Sequence, residues 1–402
     1  MIIQILKKIK GYNIMGNEKL SENINNLEKK LIEVRHNFHK HPELSNEEFE
    51  TTKTLRKLLN EAQIRILKLP LKTGLVAEIT GDREGPIIAI RGDIDALPII
   101  EETELEYKSQ VSGKMHACGH DFHASVILGA AYLLKQQEST LEGTVRIIFQ
   151  PAEELGHGAE DVLASGALSN VAAIFGLHSA PELELGSFGT KVGAMTAAVD
   201  RFEIEIEGIG THASSPEKGI DPIIVAAHII TSLQTIVSRS VSTFDQVLIS
   251  VTHIESGNTW NVIPNKAYIE GTVRTVNANM REFVPSKMRQ IIKGVADSFG
   301  ATAELKWYSG PPATNNTKDW TEVALEVAQK QGYVIRKLPD TLIGEDFAFY
   351  QEKIPGAFVK IGTGVSYSLH HPKFKVDDAA LLPAANYFSE LAKRALVILK
   401  EK

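Results

Sequence analysis

Ile24, Leu27, Leu31, Val34 and Phe38 recur at intervals of three and four, a spacing that predicts an amphipathic helix with Ser21 as its candidate cap. HPELSNEEFE then turns the chain at Pro42. Ser45, with Glu48 three residues on, reads as a capping box that starts a second helix, whose inward face would be Phe49, Leu55 and Leu59. From Gly74 the texture becomes strand, loop and helix in repetition. GLVAEIT and PIIAIRG are short apolar runs bounded by glycine and proline, and the near-continuous second run suits a strand covered on both faces. A helix over about 123–137, GTVRIIFQ (143–150), a short helix to Gly166 and VAAIFGL (171–177) follow. The fold class is α/β.

Between about 194 and 309 the pattern differs. Phe202, Ile204 and Ile206 alternate with Glu203, Glu205 and Glu207, the mark of a strand with one wet face. Asp221-Pro222 opens a helix, a cap followed by proline at the first helical position. Strands over about 246–254 and 266–275, a helix over 281–298 and a strand near 302–308 complete a β-α-β-β-α-β order. This predicts a ferredoxin-like satellite domain, residues 194–309, inserted into a main domain formed by 16–193 and 310–402. Beyond residue 310, GEDFAFY (344–350), a buried strand GAFVKIG (356–362) and a terminal helix from Asp378 restore the first texture.

At 402 residues, 43% of them hydrophobic and 23% charged, the chain has the composition of a globular protein with room for two domains. Its net charge of −7 argues against nucleic-acid or anionic-membrane partners. No run approaches the roughly 20 apolar residues of a membrane span. Residues 1–15 read as an extension outside the fold, with Met15 as an alternative start. Lysines 7, 8 and 10 interrupt the extension's apolar positions, which disfavours a signal peptide.

The candidate chemistry centres on MHACGHDFHASV. It places the chain's single cysteine, Cys118, between His116 and His120. Thiolate, imidazole and carboxylate are ligands of Zn²⁺ and its neighbours, and Gly119 lets the backbone turn between Cys118 and His120. One cysteine excludes an intrachain disulfide and a Cys₄ zinc site, and a metal-binding thiolate suits a reducing cytoplasm. Three predicted strands end in Asp93 and Asp95, in Glu153 and Glu154, and in His178, and the carboxyl ends of an open α/β sheet share one edge. His370 or His371 follows a fourth strand, in a loop fixed by Pro372. His212 lies in the glycine-rich turn GIGTHASSP. His36, His39 and His41 read instead as cations at a helix end. Two divalent ions sharing such ligands would acidify a water and polarise a carbonyl, and a further carboxylate would carry the proton. Adjacent Glu153 and Glu154 suit that division of labour.

RGDIDALPI, MHACGHDFHAS, FQPAEELGHGA, GLHSAPELELG, GIGTHASSP, GNTWNVIPNKAYIEGTVRT, GEDFAFY and LHHPKF together resemble the M20 metallopeptidases. Within that family they look most like subfamily D, the amidohydrolases of N-acyl amino acids. The resemblance runs in order from about residue 25 to 395. It implies a dinuclear metal-binding catalytic domain whose ligands would be Cys118, as the bridge, with His120, Glu154, His178 and His370. Glu153 would be the general acid/base. His212 would stabilise the oxyanion, often across a dimer formed through the inserted domain. Asn261 and Arg274 would hold the substrate amide or carboxylate, and Asp95 would orient ligands. The family pattern L-H-x-P selects His370 over His371. The cofactors implied are two divalent ions, Zn or Mn first, with Ni or Co as alternatives. The substrate implied is an N-acetyl, N-benzoyl or similar amino acid. An N-acetyldiaminopimelate deacetylase, a dipeptidase and a catalytically silent metal-binding homologue are the competing readings.

Overall fold

The structure, a computed structural model, describes residues 17–401, with side chains from residue 25 onward. The expected extension over 1–15 lies outside the described residues. The chain forms two compact units. One comprises residues up to Gly193, Asn316–Pro339 and the chain from Phe349; the other comprises Ala194–Asn315 and Asp340–Ala348.

The first unit begins with helices α1 (Asn17–Lys40) and α2 (Phe49–Glu61). Because α1 already runs from Asn17, Ser21 lies inside it and is not its cap. Strands β1 (Arg65–Ile66), β2 (Leu75–Thr80) and β3 (Ile87–Asp93) lead to helix α3 (His120–Gln136). Then come β4 (Thr144–Gln150), α4 (Gly158–Ala164), β5 (Val171–Ala180) and β6 (Ser187–Gly189). The second unit supplies β7 (Ala198–Glu207), α5 (Pro222–Thr235), β8 (Val247–Ser256), β9 (Lys266–Thr275), α6 (Ala278–Phe299) and β10 (Thr302–Ser309). Helix α7 (Lys318–Lys330), β11 (Val334–Ile335), β12 (Gly356–Gly362) and helix α8 (Leu381–Glu401) complete the first unit.

Its sheet has the order β1-β2-β4-β3-β5-β12-β6-β11. Strands β4, β3, β5 and β12 are mutually parallel, so their carboxyl ends lie on one edge of the sheet. The burial pattern of β3, almost continuous, shows both faces covered, as its run of apolar residues predicts. Helix α3 is apolar nearly all round and correspondingly buried. Its Gly129 meets α1 and α8 so closely that an added Cβ would fall 2.7 Å from both Leu31 and Ala385. Any larger residue there would force the three helices apart.

In the second unit the sheet order is β8-β9-β7-β10, all antiparallel. Alternate residues of β7, including Phe202, Ile204 and Ile206, pack with Val225, Ile229 and Leu233 of α5 and with Met288 and Ile292 of α6. Asp221 caps α5 by accepting the Ile223 N–H at 2.9 Å, with Pro222 in the first turn. The unit's boundary differs from the expected residue 309. Gly310 N–H bonds the Val199 carbonyl and Met195 N–H bonds that of Thr314, while Ala197 N–H bonds the Ile343 carbonyl. These bonds tie 310–315 and 340–348 to the second unit, and no local pattern announces them.

His39 lies in the last turn of α1, as a helix-end cation would, but packing gives it partners beyond the helix dipole. His39 is buried between Asp121 (Nδ1–Oδ2 3.0 Å) and Glu101 (Nε2–Oε1 3.2 Å), and Arg35, also buried, donates to Asp121 at 3.0 Å. Burial alone would lower the His39 pKa, but the Asp121 charge and the bonds His39 donates to both carboxylates raise it to about 9. Breaking such a buried pair from one side costs about 3–5 kcal/mol, because the other charge is left unpaired. His36 pairs with Asp378 at 2.8 Å and stacks on Tyr107.

Candidate metal centre

Three backbone devices deliver side chains to the sheet edge. Gly119, at φ +86, forms the left-handed turn before α3, so Cys118 precedes the helix and His120 opens it. A Cβ at Gly119 would fall 2.6 Å from the Ser179 hydroxyl, so the turn needs glycine for space as well as torsion. Ala152 (φ +53) turns the chain after β4 to present Glu153 and Glu154, and His370 itself sits at φ +64. Left-handed backbone at non-glycine residues is uncommon; of the five described residues that adopt it, Ala152 and His370 adjoin the donor cluster. His178 needs no turn: it lies inside β5, which runs three residues beyond the apolar run 171–177.

The side chains assemble into three overlapping groups whose ligand atoms lie within 4.8 Å of one another: Cys118 with His120 and His178, Cys118 with Glu154 and His370, and His120 with Glu153 and Glu154. Cys118 Sγ is 3.4 Å from His178 Nε2, and His370 Nε2 is 3.3 Å from Glu154 Oε1. His120 Nε2 stands 3.9 Å from both Glu153 Oε2 and Glu154 Oε1. The ring orientations are fixed from behind. His120 Nδ1 donates to Asp95 at 3.1 Å and His178 Nδ1 donates to the Ser179 carbonyl at 2.8 Å, which turns each Nε2 lone pair inward. Asp95, fully buried, also accepts the Glu154 N–H at 3.0 Å and the Ser45 hydroxyl at 2.7 Å.

Two of the inward-facing atoms, His120 Nε2 and Glu154 Oε1, are buried without a hydrogen-bond partner. Burial pushes the Cys118 thiol pKa well up, with the Glu154 charge adding to the rise. Burial lowers His120, but Asp93 and Asp95 outweigh it and raise its pKa. Orphaned buried N and O atoms, with a buried thiol and carboxylates beside them, are the environment a divalent cation satisfies. The residues therefore fit a metal centre.

Asp93, His120 and His123 form a further group within ligand distance, but His123 has no lone pair to offer. Its Nδ1 is 2.6 Å from Asp93, and its Nε2 accepts the Ser179 N–H at 2.7 Å. Asp93 in turn accepts from Arg91 at 2.8 Å. His123 is thus a brace under β5 beside His178. His116 is buried and held neutral, its pKa lowered to about 4 by burial.

His212, Asn261 and Arg274 belong to the second unit. His212 and Asn261 lie side by side on a short ribbon, where Val262 pairs with His212 and the Asn261 carbonyl accepts the Ala213 N–H at 3.0 Å. His212 is exposed, with Ser214 bonded to its Nδ1. Arg274 is half-buried near the end of β9. The residues that a linear reading misses are Ser45 and Glu48. They form no capping box: α2 starts at Phe49 with no side-chain cap, Ser45 bonds Asp95, Glu48 is buried, and Phe49 is exposed rather than inward.

An α/β sheet that gathers Cys, His and Glu donors at the ends of parallel strands defines a metal-dependent amidohydrolase. The chain belongs to peptidase family M20/M25/M40, whose family model matches residues 89–394. It is 50% identical, over 92% of its length and 98% of the relative's, to the N-acetylcysteine deacetylase of Bacillus subtilis. It is also 37% identical, over 91% of this chain and 87% of the relative, to the IAA-amino acid hydrolase ILR1-like 5 of Arabidopsis thaliana. Among solved structures it resembles a Bacillus subtilis dinuclear metal binding peptidase of the M20 family, with a TM-score of 0.85 and 47% identity over 93% of this chain and 99% of that one.

Proposed function

We propose that the protein hydrolyses the amide bond of N-acyl amino acids, with N-acetyl amino acids as its preferred class, at a centre of two divalent ions. The observation that carries this is the pair of donor groups sharing Cys118, with Glu153 beside them and outside both. Cys118, His120 and His178 would hold one ion; Cys118, Glu154 and His370 the other, with Cys118 as bridge. Bound there, the ions would acidify a water and polarise the acyl carbonyl. Glu153 takes the proton from that water and passes it to the leaving amine. Asp95 keeps His120 in the tautomer that faces the centre. Asn261 and Arg274 bind the substrate amide and carboxylate. The thiolate and imidazole donors favour Zn²⁺, the carboxylates admit Mn²⁺, and Ni²⁺ or Co²⁺ can substitute. A thiolate ligand suits a reducing cytoplasm, which is the compartment proposed.

The test is hydrolysis of N-acetyl, N-benzoyl and indoleacetyl amino acids and of dipeptides by enzyme loaded in turn with Zn²⁺, Mn²⁺, Co²⁺ or Ni²⁺. The expected result is the highest kcat/KM on an N-acetyl amino acid. No turnover of any N-acyl amino acid with any of the four metals would overturn the reading.

The enzyme acts as a homodimer through its second unit, with His212 stabilising the oxyanion in the partner's site. Two features support a protein partner there. Helix α5 leaves Ile223 and Ile224 exposed, and β8 is an edge strand that exposes Leu248 and Ile254. The apolar stretch Pro222–Ser240 is long enough to cross a membrane, but its inner face is committed to the sheet core. Mixed dimers of a Glu153→Gln chain and a His212→Ala chain are expected to regain activity, since one site per dimer is then intact. Mixtures as inactive as their parents would exclude a shared site.

A further inference from the structure

Glu48 is 0% exposed, and the neighbouring charge that acts on it, Asp95, is also negative. A carboxylate buried without a counter-charge is costly unless its hydrogen bonds serve a purpose. Burial raises its pKa, and hydrogen bonds from Thr73, its own backbone N–H and Ala152 oppose the rise. Its Oε2 accepts the Thr73 hydroxyl at 2.7 Å, and its Oε1 accepts the backbone N–H of Ala152 at 2.8 Å, 104 residues away in the chain.

Ala152 is the left-handed residue directly before Glu153 and Glu154. The turn is compressed as well: a Cβ on Gly158 would fall 1.8 Å from the Pro151 carbonyl oxygen. Two residues on, Asp95 accepts the Glu154 N–H. Two buried carboxylates therefore grip alternate amides of the one turn that presents both glutamates. The grips are linked, since Ser45, three residues before Glu48, bonds Asp95.

We propose that Glu48 is a positioning residue: by holding the Ala152 N–H it fixes the left-handed turn that aims Glu154 at its ion and Glu153 at the water. This rests on the dinuclear reading above. It gives the segment HPELSNEE a role in the site that neither its sequence pattern nor its distance along the chain reveals.

The test is Glu48→Met, close to glutamate in length but without an oxygen to accept from either donor. Metal-free protein is titrated with Zn²⁺ by calorimetry, its unfolding midpoint is measured, and kcat and KM are determined on N-acetylcysteine. The expected result is selective. One ion, that of the Glu154 group, binds about 10–100-fold more weakly, the range for loss of a supporting hydrogen bond behind a metal ligand. The other ion keeps its affinity, and kcat falls while KM changes less than about threefold, a loss confined to the transition state. Adding Ala152→Gly, which adopts the left-handed turn without Cβ strain, is expected to recover part of both losses. Should Glu48→Met fail to fold, Glu48→Asp retracts the carboxylate by one methylene and is expected to give the same selective loss.

Wild-type affinity for both ions in the variant would overturn the proposal. So would equal weakening of both ions with a lowered unfolding midpoint and no recovery with Ala152→Gly, since that is the behaviour of a residue needed only for packing. If the wild-type protein itself binds fewer than two ions, the dinuclear reading fails instead, and the same titration shows it.

Discussion

Glu153→Gln is expected to lower kcat by about 10²–10⁴-fold while the protein keeps its metal, the range for loss of a positioned general acid/base. Glutamine matches glutamate in shape, so the 3_10 turn Glu153–Leu155 and the nearby groups should be undisturbed. What is lost is the ability to accept a proton. Glu153 Oε2 lies 3.9 Å from His120 Nε2, beside the donor cluster yet not a member of either donor group that shares Cys118. Metal content by atomic emission, measured beside steady-state kinetics, separates the two roles. A variant with full activity and bound metal would remove Glu153 from the mechanism. One that loses metal along with activity would make it a ligand.

Cys118→Ala is expected to abolish binding of both ions and to lower kcat/KM by at least about 10³-fold, equivalent to roughly 4 kcal/mol of transition-state stabilisation. The reason is topological. His178 and His370 each belong to one donor group, whereas Cys118 belongs to both. His178→Ala and His370→Ala should therefore each spare one ion, and Cys118→Ala neither. Because Cys118 is only 6% exposed and an alanine there leaves a small void, the fold should survive the change. Stoichiometry by equilibrium dialysis decides the matter, and two ions retained in Cys118→Ala would exclude it as the bridge.

Much of this arrangement is legible along the chain because it depends on local periodicity. Apolar runs bounded by glycine and proline mark β3, β4 and β5, and parallel neighbours necessarily end on one edge, so the residues that follow them meet. The alternation at Phe202, Ile204 and Ile206 marks a one-sided sheet, and Asp221-Pro222 marks a helix start, for equally local reasons. Gly119 can be read as a turn because only glycine takes that conformation without cost. The competing features were those whose partners are remote. Ser45 and Glu48 match a capping box in spacing, but two buried donors and an acid brought from elsewhere in the fold offer stronger partners than the helix end does. His39 has the spacing of a helix-end cation, yet Asp121, 82 residues away, makes it part of a buried ion cluster.

His123 and Asp93 show the same limit within the site. Both are ligand types in the right neighbourhood, and only the Ser179 N–H, pointing at His123 Nε2, removes that histidine from the list of donors. The sequence by itself determined the order of the elements, the one-sided and two-sided strands, and the family to which the donor-bearing segments belong. Tertiary structure alone decided which carboxylates brace and which face inward, where the second unit ends, and that Glu48 reaches Ala152. Periodicity is a property of neighbours in the chain, whereas the cost of burying a charge is settled by whichever partners packing brings within about 3 Å.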